Sequence, residues 1–255
     1  MRDKWILDAV SSGRYSASFS EVLSSHDGHD ARLYVFSDAL KVDGVRVNVT
    51  AEVQQQIADL IGCRLLTPKV ADLIWAQREV TVQPHPRHIT SETSAMVDHS
   101  RLIDEDLVKA GGGAGKLVCA VGKHWVIDDE LLLHPGRAEN YGWHFGGPSF
   151  QGIHGEVTAT GLKDDHGDLV RMIQGRGWAH DMHEADYSQV CVLWSSLCLV
   201  DGRRALVDDV LRNPALAPLA SHSGAMKVLR QPGATQLQAS VVLDPELPDE
   251  EALQT

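Results

Sequence analysis

Apolar and polar side chains alternate through residues 15–49, most clearly in ARLYVFSDALKVDGVRVNVT (31–50). A period of two marks strands with one buried face, and Asp43-Gly44 is a dipeptide that tight hairpin turns favour. The period then changes. Thr50 precedes Val53, Ile57, Leu60 and Ile61, spaced at helical intervals, and Gly62 follows them. This predicts a capped helix that stops at the glycine. Thr67-Pro68 predicts a second helix, a cap residue followed by a proline in the first turn, with Val70, Leu73 and Ile74 as its apolar stripe.

Beyond this, VQPHPRHITSETS reads as an extended connection, because proline biases the residue before it away from the helical region. Residues 101–110 suit a short helix. Strands are expected at 117–127, 138–145, 155–161 and 186–200, with a helix at 203–211. The run AGGGAGK (110–116) invites comparison with a phosphate loop and fails it: Ala110 replaces the first glycine, and Leu117 stands where a magnesium-binding hydroxyl belongs. It reads as a flexible linker. The expected fold is a single α+β domain over 1–243, a mostly antiparallel sheet with a few peripheral helices. Residues 244–255, acidic and punctuated by proline, are expected to be disordered.

Charge narrows the partners. A formal net charge of −12 over 255 residues, with no local basic stripe, argues against nucleic acid and anionic membranes. The apolar run at 190–200 is too short to span a bilayer, and no leader with a cleavage site opens the sequence. A cytoplasmic chain is the expectation. Cys63, Cys119, Cys191 and Cys198 form no CxxC pair, so they read as reduced, with a Cys191–Cys198 bridge left open.

Three stretches combine into a pattern. The first is IGCRLLTPKVADLIW, with Gly62, Cys63, Leu65, Thr67, Pro68, Asp72, Ile74 and Trp75. The second runs from Lys123 to Tyr141-Gly142-Trp143-His144. The third holds His180 and then Asp186-Tyr187-Ser188. Over roughly residues 30–200 this resembles an uncharacterised family of bacterial and phage proteins. The chain departs from that family at Gln189, where many relatives carry another histidine. The resemblance implies a shared fold and site rather than a named reaction.

Candidate chemistry concentrates in WAHDMHEADYSQ (178–189), directly before an apolar run. Of 13 histidines, five fall between 144 and 183, among them His144, His154, His180 and His183. Four readings remain open. His144, His180 and Asp186 form a ligand set suited to zinc or another divalent metal. Without metal, His180 or His144, oriented by Asp186, serves as proton carrier, with Ser188 or water as nucleophile. If residues from 186 form a strand, Asp186 and Ser188 share a face. Tyr141, Trp143 and Trp178, with Lys123 and Arg137 for a carboxylate, suit the wall of a binding site. The plain structural reading has these groups satisfying backbone at a strand entry. The expected function is a hydrolase of amide or similar carbonyl bonds, in peptides or cell-wall peptides. The alternative is a non-catalytic module binding carbohydrate or peptide.

Overall fold

Both marked helix starts are present in the computed structural model, which describes residues 2–146, 149–152, 155–158, 160–163, 169–240, 243 and 245. The chain opens with α1 (Arg2–Ser11), β1 (Phe19–His26), β2 (His29–Phe36), β3 (Lys41–Val42) and β4 (Val45–Arg46). Then come α2 (Ala51–Ile61), β5 (Cys63–Leu65), α3 (Pro68–Gln77), β6 (Val80–Thr81) and α4 (Thr93–Lys109). β7 (Val118–Cys119), β8 (Lys123–Val126), β9 (Glu139–His144) and β10 (Ser149–Gly152) follow, with β11 (Gly155–Thr158), β12 (Thr160–Lys163) and β13 (Leu169–Gly177). β14 (Leu193–Val200), β15 (Arg203–Leu206) and α5 (Val207–Arg212) close the series.

This is an α+β fold with mostly antiparallel sheets. One sheet runs β1-β2-β14-β15, with β5 also paired to β14. A second runs β12-β13-β9-β8. Asp43-Gly44 turns a hairpin as expected, and Asp27-Gly28 and Asp201-Gly202 do the same, all six residues at positive φ. Thr50 accepts from the Val53 N–H at 3.1 Å, and Thr67 accepts from the Val70 N–H at 3.1 Å. Strand β1 is a sheet edge, and Gln77 of α3 meets it like a further strand. Its side-chain oxygen accepts from the Leu23 N–H at 2.8 Å, and its amide donates to the Leu23 carbonyl at 2.7 Å.

One core holds Leu33, Phe36, Leu65 and Trp194 of the first sheet, Ile57 and Ile61 of α2, and Trp125 of the second sheet, all buried. Its largest members settle their polar atoms inside: the Trp194 indole donates to the Leu65 carbonyl, and Trp125 to that of Val49, each at 2.8 Å. All four cysteines are buried free thiols, so the Cys191–Cys198 bridge is not formed. Burial pushes Cys63, Cys119 and Cys198 up to about 12, and Cys191 further in the same direction.

Several boundaries differ from expectation. Residues 203–206 extend the sheet as β15, since the Asp201-Gly202 turn returns the chain alongside β14. α4 begins at Thr93, well before residue 101. The 110–116 segment is a built turn: Ala110 and Gly112 N–H groups take up the Asp106 and Leu107 carbonyls, and Leu107 and Val118 press against Gly113. At the far end, Ser240 and Leu243 N–H groups bond to the Leu60 and Ile61 carbonyls, and Pro245 is buried. The rest of the 244–255 tail, and His154, lie outside the described residues. Among the described residues no helix is long and apolar enough to cross a membrane.

Candidate functional site

Strand β9 breaks its own alternation. Gly142 (φ 93°) and Trp143 (φ 58°) both adopt left-handed backbone, so Tyr141 and His144, three residues apart, reach one partner. That partner is Asp72 of α3. Tyr141 donates its hydroxyl to Asp72 Oδ1 at 2.8 Å, and His144 Nε2 lies 2.9 Å from the same oxygen. His222 Nε2 lies 2.9 Å from Oδ2. An ionised carboxylate only accepts, so both imidazoles carry their proton on Nε2. The Thr67 hydroxyl that caps α3 also donates to the Ala220 carbonyl at 2.5 Å, tying the Asp72 helix to the loop that presents His222.

The environment fixes the charges. Burial by itself pushes the Asp72 carboxyl up, but hydrogen bonds from His144, His222 and Tyr141 hold it at about 2. Burial and the facing Asp72 push the Tyr141 phenol up, which keeps it a donor. His144 is fully enclosed and stacks on Trp75 with ring centroids 5.7 Å apart, while Arg78 covers that indole at 3.6 Å. Behind it, burial drives His124 down to about 3, so it is neutral. His222 is different, with 32% of its side chain exposed.

A second polar group adjoins the first. Glu139 and Tyr141 lie two apart on β9, and Ser223 follows His222. Arg176 of β13 sits between two buried carboxylates, with Nε 2.5 Å from Glu139 Oε1 and Nη2 3.1 Å from Asp128 Oδ1. Ser223 donates to Asp128 Oδ2 at 2.8 Å. Burial pushes Glu139 up against the pull of Arg176. The Arg176 guanidinium lies 5.4 Å from the Trp178 ring centre, and His134 stacks on that ring at 4.9 Å.

The residues singled out in the sequence divide between these groups and a third. Successive β8 side chains point to opposite faces, so His124 joins the Asp72 side and Lys123 turns away. Lys123 Nζ is 2.8 Å from Asp186 Oδ2, both buried. Asp186 and Ser188 are neighbours, but not along a strand. Residues 186–189 form a turn in which Asp186 Oδ1 accepts from the Ser188 N–H at 2.8 Å and its hydroxyl at 2.6 Å, while Gln189 closes on the Asp186 N–H. β14 begins only at Leu193. Burial raises the Asp186 carboxyl, and Lys123 with the Ser188 bonds more than reverses it. His180 packs edge-on to Trp125 at 5.7 Å and lies 3.8 Å from Glu184. Burial and the Lys123 charge lower it, against Asp186 and Glu184.

Several expected roles therefore change. His180, Asp186 and Ser188 do gather around Lys123, but Ser188 gives its proton to an ion-paired carboxylate, a poor base, and not to a histidine. His144 bonds to Asp72 instead of joining His180 and Asp186, so the expected metal set is not brought together. Among the described residues no three His, Cys, Asp or Glu side chains are grouped to hold a metal ion. Tyr141 and Trp143 are buried, and Trp178 is covered by His134 and Arg176, so they make no open aromatic wall. Lys123 has its carboxylate inside the protein. Arg137 lies on the surface, donating to the Ala179 carbonyl at 3.1 Å.

Asp72 and His222 were missing from the sequence-derived site. Asp72 lies in the first motif, an acid among the buried Val70, Ala71 and Ile74, and that is its only signal. His222 sits in SHSGAM, past the last helix, where nothing in the sequence marks it. No family model, curated protein or solved structure matches the chain.

Proposed function

We propose that the protein is a hydrolase of amide or similar carbonyl bonds, and that Asp72 with His222 forms its proton-transfer centre. The observation that carries this reading is the Asp72 carboxylate, held ionised and bound by two imidazoles and a phenol. A carboxylate that fixes an imidazole sets its tautomer and stabilises its protonated form, which is how histidine is made an effective base. His222 is the partly exposed imidazole and the natural proton carrier; enclosed His144 and Tyr141 position Asp72. Water adds through oxygen to the carbonyl carbon while His222 takes its proton and the C=O electron pair moves onto oxygen. Collapse returns that pair, the C–N bond breaks, and His222 passes the proton to the departing nitrogen. Amide and water become acid and amine.

Peptides, including cell-wall peptides, are the first substrates to try, on the strength of the resemblance to phage proteins. The test is a panel of peptide p-nitroanilides and cell-wall stem peptides with wild type, Asp72→Asn and His222→Gln. Both variants are expected to fold and to lose roughly a hundredfold to ten-thousandfold in rate. Hydrolysis at the wild-type rate in both would remove the centre from the reaction.

A further inference from the structure

The acid–base centre accounts for the proton but leaves the carbonyl oxygen without a partner. An amide oxygen becomes strongly negative as water adds, and preorganised donors at that point are commonly the largest contribution to rate. The group beside Asp72 contains such a donor. We infer that Arg176 is the residue that receives the carbonyl oxygen of the substrate. The inference rests on the proposed hydrolase for its chemistry, though the contact itself can be tested without turnover.

Three observations carry it. First, the guanidinium is placed before any ligand arrives: Nε donates to Glu139 and Nη2 is ion-paired with Asp128 at 3.1 Å, with Trp178 alongside. Orienting a side chain in advance removes the entropy that ordering it on binding would cost. Second, one edge is left over. Among the described residues Nη1 has no hydrogen bond or ion pair, and the side chain is 29% exposed while Glu139 and Asp128 are closed in. Third, the two groups are joined at both ends. Glu139 lies two residues from Tyr141 on β9, and the Arg176 charge is felt by the Tyr141 phenol. On the other side Ser223 on Asp128 and His222 on Asp72 are consecutive residues, which links the carboxylate paired with Arg176 to the one paired with the proton carrier.

The same arrangement selects the ligand. Two carboxylates already face this guanidinium, and Asp72 adds a third negative group nearby. A substrate carboxylate would bring a further negative charge into that field. A neutral carbonyl oxygen gains the hydrogen bonds without that repulsion, and its charge grows only as the reaction proceeds. That is stabilisation of the transition state over the ground state.

The test uses wild-type protein labelled with 15N at arginine. The Arg176 side-chain resonances, assigned by their loss in Arg176→Lys, are followed during titration with N-acetylglycinamide or with acetate. The amide is expected to move them saturably in the roughly millimolar range natural to so small a ligand. Acetate at equal concentration should move them less. In parallel, Arg176→Lys should lose roughly a hundredfold to a thousandfold in kcat on a peptide p-nitroanilide, with little change in KM. Arg176 resonances that do not respond to the amide would overturn the proposal, as would a stronger response to acetate. Hydrolysis that His222→Gln abolishes and Arg176→Lys leaves intact would remove Arg176 and keep the acid–base centre. Amide binding at Arg176 in a chain that hydrolyses nothing would support this contact and remove the hydrolase.

Discussion

Asp186 is the counter-charge of a lysine inside the core, and that decides what its substitution does. Asp186→Asn leaves the Lys123 ammonium buried opposite a neutral amide, and breaking a buried pair in this way costs on the order of 3–5 kcal/mol. Denaturant unfolding should register that loss, while hydrolysis per folded molecule stays near wild type. A variant as stable as wild type but inactive would return Asp186 to the catalytic centre. The sequence marked this residue for a reason: histidine, acid, tyrosine and serine clustered before an apolar run. The cluster is present, but as a turn and not as a strand entry, because a turn that folds Ser188 back onto Asp186 looks in one dimension like the start of a strand. The pairing of Asp72 with His222 was illegible for the opposite reason. They lie 150 positions apart, and what pairs them is the Thr67 contact with Ala220, which no local pattern encodes.

At the scale of elements, the legible parts were those stabilised locally. Thr50, Thr67-Pro68 and the Gly62 stop each act within a turn of their own helix, so the sequence marks α2 and α3 closely. α4 starts at Thr93 with Glu92 making no side-chain cap, and its first two turns carried no mark. Strand β9 was placed within a residue at each end, but its two left-handed residues were not foreseen. That irregularity delivers both Tyr141 and His144 to Asp72. Gly142→Ala tests it. A Cβ there would stand 3.1 Å from His124 and 3.4 Å from His144, at a φ of 93° that side chains rarely adopt. The left-handed backbone costs roughly 1–2 kcal/mol for such a residue. Beyond a lower melting temperature, the rate of the proposed amide hydrolysis should fall further than in Thr50→Ala, a cap deletion of about 1 kcal/mol away from the Asp72 group. Equal rates for the two variants would mean that β9 need not hold this shape.

Across the whole molecule, the buried imidazoles set the acid limit of stability. His99, edge-on to Trp143 and Tyr187, is driven by burial to about 3, as is His124. Their ordinary value is 6.5, so between there and about 3 the unfolded chain holds protons that the folded chain refuses. Stability is full above that window and falls with pH inside it, by about one proton per histidine. Asp72 adds its share lower down, present above 3.8 and lost as pH falls towards about 2. Denaturant midpoints measured from pH 7 to pH 4 should therefore drop steeply, and His99→Phe, which keeps a ring in the aromatic cluster, should flatten the slope by about one proton. An unchanged slope would place the acid sensitivity elsewhere. The largest-scale property of the sheet, where it ends, rests on something smaller still. Gln77 answers the Leu23 N–H and carbonyl as a neighbouring strand would, beside a leucine whose side chain is turned to water. An open edge of this kind is a template on which another copy can add a strand. One amide thus stands where self-assembly would begin, and the sheet's last strand is, in effect, a single side chain.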